Sequence, residues 1–271
     1  MRKIVHDVSP ESLARANEAH LAAGLSACIR AYGGEVYDEP DLLWCALGIP
    51  ISGWNRVPRA QLALETLDAR IEWVTARAQA LHIPMQWNIG PSMRPLKLGD
   101  HLLRHGFTDD EEEPAMGVAL ARLPNALQLP KGVTVERVRD RASLEQWMGV
   151  MYAGFKIPAS AIGMFLPAVS RDDLGDAGAA SYYLARLHSE PVATAALSLA
   201  AGVAGIFAVA TVESARRQGI GAAVTLAPLL DARDQGYAVG VLQASEMGYP
   251  VYARIGFTEQ FRYHTFRWQP Q

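Results

Sequence analysis

The stretch Ile206-Phe207-Ala208-Val209-Ala210, followed after a short turn by Arg216-Arg217-Gln218-Gly219-Ile220-Gly221-Ala222, decides the fold of this 271-residue chain. The first five residues are apolar and read as a buried strand. The segment from Gly219 to Gln235, closed by Gly236, reads as a long helix. Glycines at 219 and 221 let the main chain approach a bound group without Cβ interference, and the first N–H groups of a helix have no partners inside it. With the aligned helix dipole and with Arg216 and Arg217 alongside, this strand-turn-helix unit predicts an anion cradle for a phosphate or pyrophosphate.

Three ligand types use such a turn. A P-loop is excluded because no Lys-Ser/Thr pair follows the glycines. A dinucleotide site fits poorly: the third Gly/Ala is missing, and too little chain follows to supply the further strands of a doubly wound sheet. Coenzyme A remains. The run Arg216-x-x-Gly219-x-Gly221-Ala222 resembles the acetyl-CoA signature of the GCN5-related N-acetyltransferase (GNAT) superfamily, and Val251-Tyr252-Ala253-Arg254-Ile255-Gly256-Phe257 resembles its second signature, a Tyr four residues before Gly-Phe.

Reading outward, Val133–Val138 alternates as a strand and Ala142–Ala153 carries the helical stripe Leu144, Trp147, Met148 and Met151. Pro158–Val169 reads as a second helix, and Ser181–Leu187 with Val192–Ala201 as paired strands. Strand Val239–Ala244, a short helix around Gly248–Arg254 and final strands near Thr258–Trp268 complete a sheet of about six or seven strands. This order is the one the acetyltransferase fold uses: an α/β chain of α+β type, with a mixed central sheet flanked by helices.

The first half echoes the second. Leu98–Phe107 ends in Gly106-Phe107 as the later helix ends in Gly256-Phe257, Met85–Ile89 precedes it as a strand, and Arg59–Leu81 reads as the long helix. No glycine pair stands before that helix, and Leu102 takes the place of Tyr252. A linker at Arg122–Gly132, with Pro124 and Pro130, separates the halves. The expectation is therefore two tandem copies, a degenerate one over 1–128 and a catalytic one over 129–271; the alternative is an unrelated α/β extension before a single domain.

Composition bounds the rest. Half of the residues are hydrophobic, and the net charge of −3 gives no electrostatic case for a nucleic-acid partner. Asp109-Asp110-Glu111-Glu112-Glu113 reads as a solvated loop, and His101 with His105 as a solvent-facing stripe lacking a third metal ligand. No run approaches the about 20 apolar residues of a membrane span, and the start resembles no signal sequence, so a cytoplasmic protein is expected. Cys28 and Cys45 read as reduced core residues.

What the resemblance implies is acetyl transfer from acetyl-CoA to a primary amine by direct attack, without a metal, in an acyltransferase of the EC 2.3.1 class. Main-chain groups at Val209, Ala210 and Thr211 would hold the pantetheine arm and acetyl group, and an N–H near Val209 would stabilise the oxyanion. Those of Arg216, Arg217, Gln218, Gly219, Ile220, Gly221 and Ala222 would hold the pyrophosphate. Tyr252 would be the general acid toward the departing sulfur. Ser245 stands where the family often has Asn against the pantetheine arm. Glu213 is a candidate base where the family often has Pro, and Glu246 a second. Substrate recognition would fall to Phe155, Phe165, Tyr182, Tyr183 and Ser198. A small-molecule amine is the expected acceptor and a homodimer is allowed. A protein or peptide amine, and a non-catalytic acyl-CoA sensor, are the alternatives.

Overall fold

The computed structural model describes residues 3–157, 163, 167–169, 174–175 and 178–271. The calls on Pro158–Val169 as a helix and on Phe165 fall wholly or largely outside them. Helix α1 (Pro10–Ala31) starts at Ser9, whose hydroxyl accepts from the Ser12 N–H, with Pro10 preset for the first turn. Strands β1 (Glu35–Asp38), β2 (Leu42–Ala46) and β3 (Asn55–Ala60) follow, then α2 (Leu67–Leu81), β4 (Met85–Ile89), α3 (Leu98–Arg104), β5 (Thr108–Asp109) and β6 (Glu113–Ala119). The second half runs β7 (Val133–Arg137), α4 (Arg141–Phe155), β8 (Ser181–Leu187), β9 (Glu190–Ala200), β10 (Val203–Thr211), α5 (Ile220–Asp234), β11 (Val239–Gln243), α6 (Tyr249–Ile255) and β12 (Thr258–Trp268).

Among the described residues all strands join one 12-stranded mixed sheet in the order β1-β2-β3-β4-β12-β6-β11-β10-β9-β8-β7, with β5 paired to β12. The halves exchange their last strands. β6, from the first half, lies against β11, while the end of β12 lies against β4 through His264↔Ile89 to Trp268↔Met85. The two exchanged strands also pair with each other, Thr258↔Gly117 to Tyr263↔Glu113. Each half thus completes its sheet with the other's final strand.

Two layers cover the second half's strands. Ala204, Ile206, Leu242 and Ala244 point to α5 and α6, in one core with Ile220, Val224, Leu229 and Tyr252. Val203, Val239 and Val241 point the other way, onto Leu13 and Ala16 of α1. Helix α4 shares that side, where Trp147 and Met151 join Tyr182, Tyr32 and Ile49 in a core built from both halves. A separate core of Trp44, Trp87, Leu67, Ile71 and Phe266 lies under α2.

Several expectations need correction. The long helix of the first half begins at Leu67, because Asn55–Ala60 forms β3 and Gln61 bridges in parallel to Arg94. The acidic run is not simply a loop: Asp109 contacts His264, Asp110 contacts Arg267, and Glu113 opens β6 and pairs with Arg56. His101 and His105 do not form a free solvent-facing stripe either; both bond Oδ1 of Asp68, at 2.9 and 3.1 Å. Cys28 and Cys45 are both buried and form no disulfide.

Candidate active site

Strands β10 and β11 run parallel but pair only at Ala204↔Gly240 and Gly205↔Val241. Beyond that point, among the described residues, no strand takes the β11-facing edge of β10, so main-chain groups of Ile206–Thr211 on that edge line an opening. A β-bulge widens it. Register passes from Phe207↔Ala196 to Ala210↔Thr194, leaving Ala208 and Val209 opposite Ala195 alone, with Ala208 at φ 51°. Two side chains satisfy the groups the bulge frees: the Thr194 hydroxyl donates to the Ala208 carbonyl at 2.9 Å, and the Trp147 indole N–H to the Ala195 carbonyl at 3.1 Å. Gly154 of α4 backs the bulge so closely that a Cβ there would lie 2.6 Å from Ala210 Cβ.

The cradle closes the open end. Arg217 and Gly219 both take left-handed conformations, φ 60° and 78°, which turns the chain into α5 at Gly219. Ile220, Gly221 and Ala222 form the helix's first turn and have no acceptor within it. Among the described residues no protein acceptor is found for the N–H groups of Arg217, Gln218 and Gly219 either. Arg216 turns back, its Nε donating to the Thr211 carbonyl at 3.1 Å, so it braces the loop. A Cβ on Gly221 would meet only Thr211 Oγ1, at 3.5 Å, so the space above it is open. Unpaired N–H groups converging beside open space fit a pyrophosphate, and the strand opening fits an extended pantetheine arm. These are the features that coenzyme A requires.

Tyr252 sits in α6 on the α5 side, 8% exposed, its ring edge-on to Phe257 at 6.2 Å. Gly248 permits this position: a Cβ there would lie 2.8 Å from Tyr252 Cε2. Burial pushes the phenol up to about 12. Among the described residues its hydroxyl has no hydrogen-bond partner, unlike Tyr183, which donates to Asp231 at 2.6 Å, and Tyr182, which shares a 2.7 Å bond with Tyr32. Ser245 is exposed, its Oγ accepting the Gly248 N–H at 3.1 Å. Glu213 and Glu246 are both exposed.

The recognition residues expected from sequence are mostly committed elsewhere. Tyr183 faces α5, Tyr182 is bound to Tyr32, and the Ser198 carbonyl is held by His20, while Phe155 is 52% exposed. What sequence reasoning missed is α1, whose Asn17 and His20 reach the sheet beside the opening; the polar pair among small and apolar residues was its only signal.

In the first half the equivalent opening is stitched shut. Beyond Val57↔Trp87, the chain after β3 is bonded across to Arg94: the Leu62 N–H donates to the Arg94 carbonyl, and the Arg94 N–H to that of Ala60, both at 3.1 Å. Leu102, wholly buried, occupies the place of Tyr252. The two helix ends nevertheless match, with Phe107 N–H to Leu102 and Phe257 N–H to Tyr252 at 3.0 and 3.1 Å. Among the described residues no group of three His, Cys, Asp or Glu side chains can hold a metal ion, and no helix is long and apolar enough to cross a membrane.

No protein-family model and no curated protein matches the chain. Solved structures do match. A GCN5-related N-acetyltransferase from Kribbella flavida is 22% identical, with a TM-score of 0.67 over 96% of each chain. Another from Sphaerobacter thermophilus is 18% identical, with a TM-score of 0.59 over 96% of this chain and 93% of that one. A tandem GNAT protein from the clavulanic acid biosynthesis pathway is 14% identical, with a TM-score of 0.58 over 84% and 78%. The fold is that of the GCN5-related N-acetyltransferases, including a tandem form.

Proposed function

We propose that the chain is an N-acetyltransferase that moves acetyl from acetyl-CoA to a primary amine by direct attack, with residues 129–271 as the catalytic copy and 1–128 as a degenerate one. One observation carries the reading: an opening between parallel strands, bulged at Ala208-Val209 and ending in unpaired amides at Arg217–Ala222, persists in one half and is bonded shut in the other. Acetyl-CoA supplies the activated acyl group when bound.

The residues divide the work by position. Main-chain N–H groups of Arg217–Ala222 hold the pyrophosphate, that of Arg216 being taken by the Glu213 carbonyl at 3.3 Å, and those of Val209, Ala210 and Thr211 align the pantetheine arm and acetyl group, with Val209 placed to stabilise the oxyanion. Ser245 is a shorter-reaching hydrogen-bond partner for the same arm. Tyr252 gives its proton to the departing sulfur; its raised pKa keeps that proton in place until the thiolate forms. Glu213, exposed on the turn before the cradle, is in this proposal the outer proton acceptor, in contact with solvent.

The favoured acceptor is a small-molecule amine, because among the described residues the face opposite α5 carries apolar groups of both halves, Phe207, Ile51 and Trp54 among them. The test is release of CoA thiol from acetyl-CoA across a panel of small amines and peptides. Turnover with small amines that falls about 100-fold or more in Tyr252→Phe, with acetyl-CoA affinity kept, is the predicted result. Peptide-only turnover would move the assignment to a protein substrate, and affinity without any turnover to a sensor.

A further inference from the structure

One buried titratable group stands beside the opening without a part in the chemistry above: His20 of α1. Its ring fills the space that a side chain on Gly205 would take. A Cβ there would lie 1.8 Å from Cε1 and 2.4 Å from Nδ1, and Gly24, one turn on, makes room for the same ring. Gly205 is the last residue of β10 paired with β11. The imidazole therefore sits at the vertex of the opening, on the face opposite α5 and Tyr252.

Its hydrogen bonding fixes the tautomer. Nε2 lies 3.1 Å from the Ser198 carbonyl oxygen, which can only accept, so Nε2 carries the hydrogen and Nδ1 holds the lone pair. Among the described residues no donor reaches Nδ1. Burial pulls the imidazole down to about 4, outweighing the opposing hydrogen bond to the Ser198 carbonyl, so the ring is neutral at neutral pH.

A second acceptor is fixed from the same helix. Asn17 Nδ2 donates to the Met116 and Leu242 carbonyls at 3.2 and 3.1 Å, which commits both of its hydrogens. Its Oδ1 must then accept, and it takes the Gln243 Nε2 hydrogen at 2.6 Å. That orientation turns Gln243 Oε1 away from Asn17. Gln243 lies two residues past Val241, on the part of β11 that pairs with β6 but no longer with β10, and on the α1 face, and no donor among the described residues is found for Oε1.

We propose that α1, delivered by the first half, completes the second half's site, with His20 Nδ1 as the proton acceptor for the attacking amine and Gln243 Oε1 holding a second amine hydrogen. This rests on the acyl-transfer reading of the opening. The neutral amine nitrogen bonds to the thioester carbonyl carbon as the C–S bond breaks. Its surplus proton passes to His20 Nδ1 through intervening water, since Gly205 lies four residues before Val209 on β10, and the Tyr252 proton goes to sulfur. The imidazolium then returns a proton through solvent to the Tyr252 phenolate, which restores both groups. A nitrogen already bonded to the acyl carbon is strongly acidic, so a weakly basic imidazole suffices.

The test compares wild type, His20→Ala and His20→Gln in amine-dependent CoA release, with acetyl-CoA affinity measured by calorimetry and imidazole added. Both variants are expected to keep acetyl-CoA affinity and to lose about 100-fold or more in kcat/KM for the amine. Imidazole should restore turnover to His20→Ala, whose vacated space matches it, and leave wild type unchanged. A folded His20→Ala that binds acetyl-CoA but gains nothing from imidazole overturns the proposal. If His20→Ala does not fold, His20→Gln decides alone, because its amide N–H can still reach Ser198 but it has no basic nitrogen; wild-type turnover there overturns the proposal. A wild-type protein that fails to bind acetyl-CoA instead overturns the acyl-transfer reading, and this inference with it.

Discussion

Tyr252 holds its proton well above neutrality because its phenol is buried at the α5 side of the opening. The expected consequence is a kcat that shows no fall from Tyr252 ionisation up to about pH 10; a fall with an apparent pKa near 9 in a pH-rate profile would contradict it. Gly248→Ala should push the ring, since its Cβ would stand 2.8 Å from Cε2, and should lower kcat while leaving acetyl-CoA affinity nearly intact. His20 makes the opposite kind of statement about pH. Its folded pKa of about 4 lies below the ordinary imidazole value of 6.5, so between those values the unfolded chain binds a proton that the folded chain refuses. Its contribution is fully present above pH 6.5 and is lost as pH falls through that window, by up to about 3 kcal/mol. Denaturant titrations at pH 7 and pH 4.5 should show this loss, and His20→Gln should lack that component. Tyr252 and the glycines were legible in sequence because their signals are local, within one turn of a helix. His20 was not, since its partner Ser198 is 178 residues away and only the packed sheet brings Gly205 under the ring.

At the scale of elements, the bulge in β10 is the part of the site that carries strain, with Ala208 at φ 51° and its displaced groups held by Thr194 and Trp147. Trp147→Phe keeps most of the buried ring but orphans the Ala195 carbonyl, and is expected to cost about 1–3 kcal/mol in stability and to weaken acetyl-CoA binding. Unchanged binding by calorimetry would show that the bulge does not depend on the indole. The elements of the second half follow the sequence reading closely, from β8 at Ser181–Leu187 to α5 at Ile220–Asp234 and β12 at Thr258–Trp268. In the first half the stripe Leu62, Leu64, Leu67 and Ile71 mimicked a helix, although Leu62 and Leu64 lie in the connection before α2. Pairing of Gln61 with Arg94 holds the start of that connection, which turns at residues 64–66 before α2, and a shallow pocket lined by Leu62, Leu64, Arg94 and Leu96 lies where the second half opens.

At the scale of the molecule, the exchange of β6 and β12 makes the halves interdependent. Neither periodicity nor turn chemistry could reveal it, because β6 and the end of β12 have the same local pattern whichever half they complete. Residues 129–271 expressed alone would lack both β6 and α1, leaving β11 an unpaired apolar edge, and should aggregate or stay unfolded. The full chain should unfold in a single cooperative transition by calorimetry, whereas two separated transitions would show that the lobes are energetically independent. β6 and α1 of the first half cover the sheet of the second. The central claim is that the opening between β10 and β11 binds acetyl-CoA, and calorimetric titration of the intact protein tests it most directly, beside Gly221→Trp, where an added Cβ would meet only Thr211 Oγ1. Saturable binding that disappears in Gly221→Trp is the predicted result; no binding by the wild type, or equal binding by both proteins, would contradict the account.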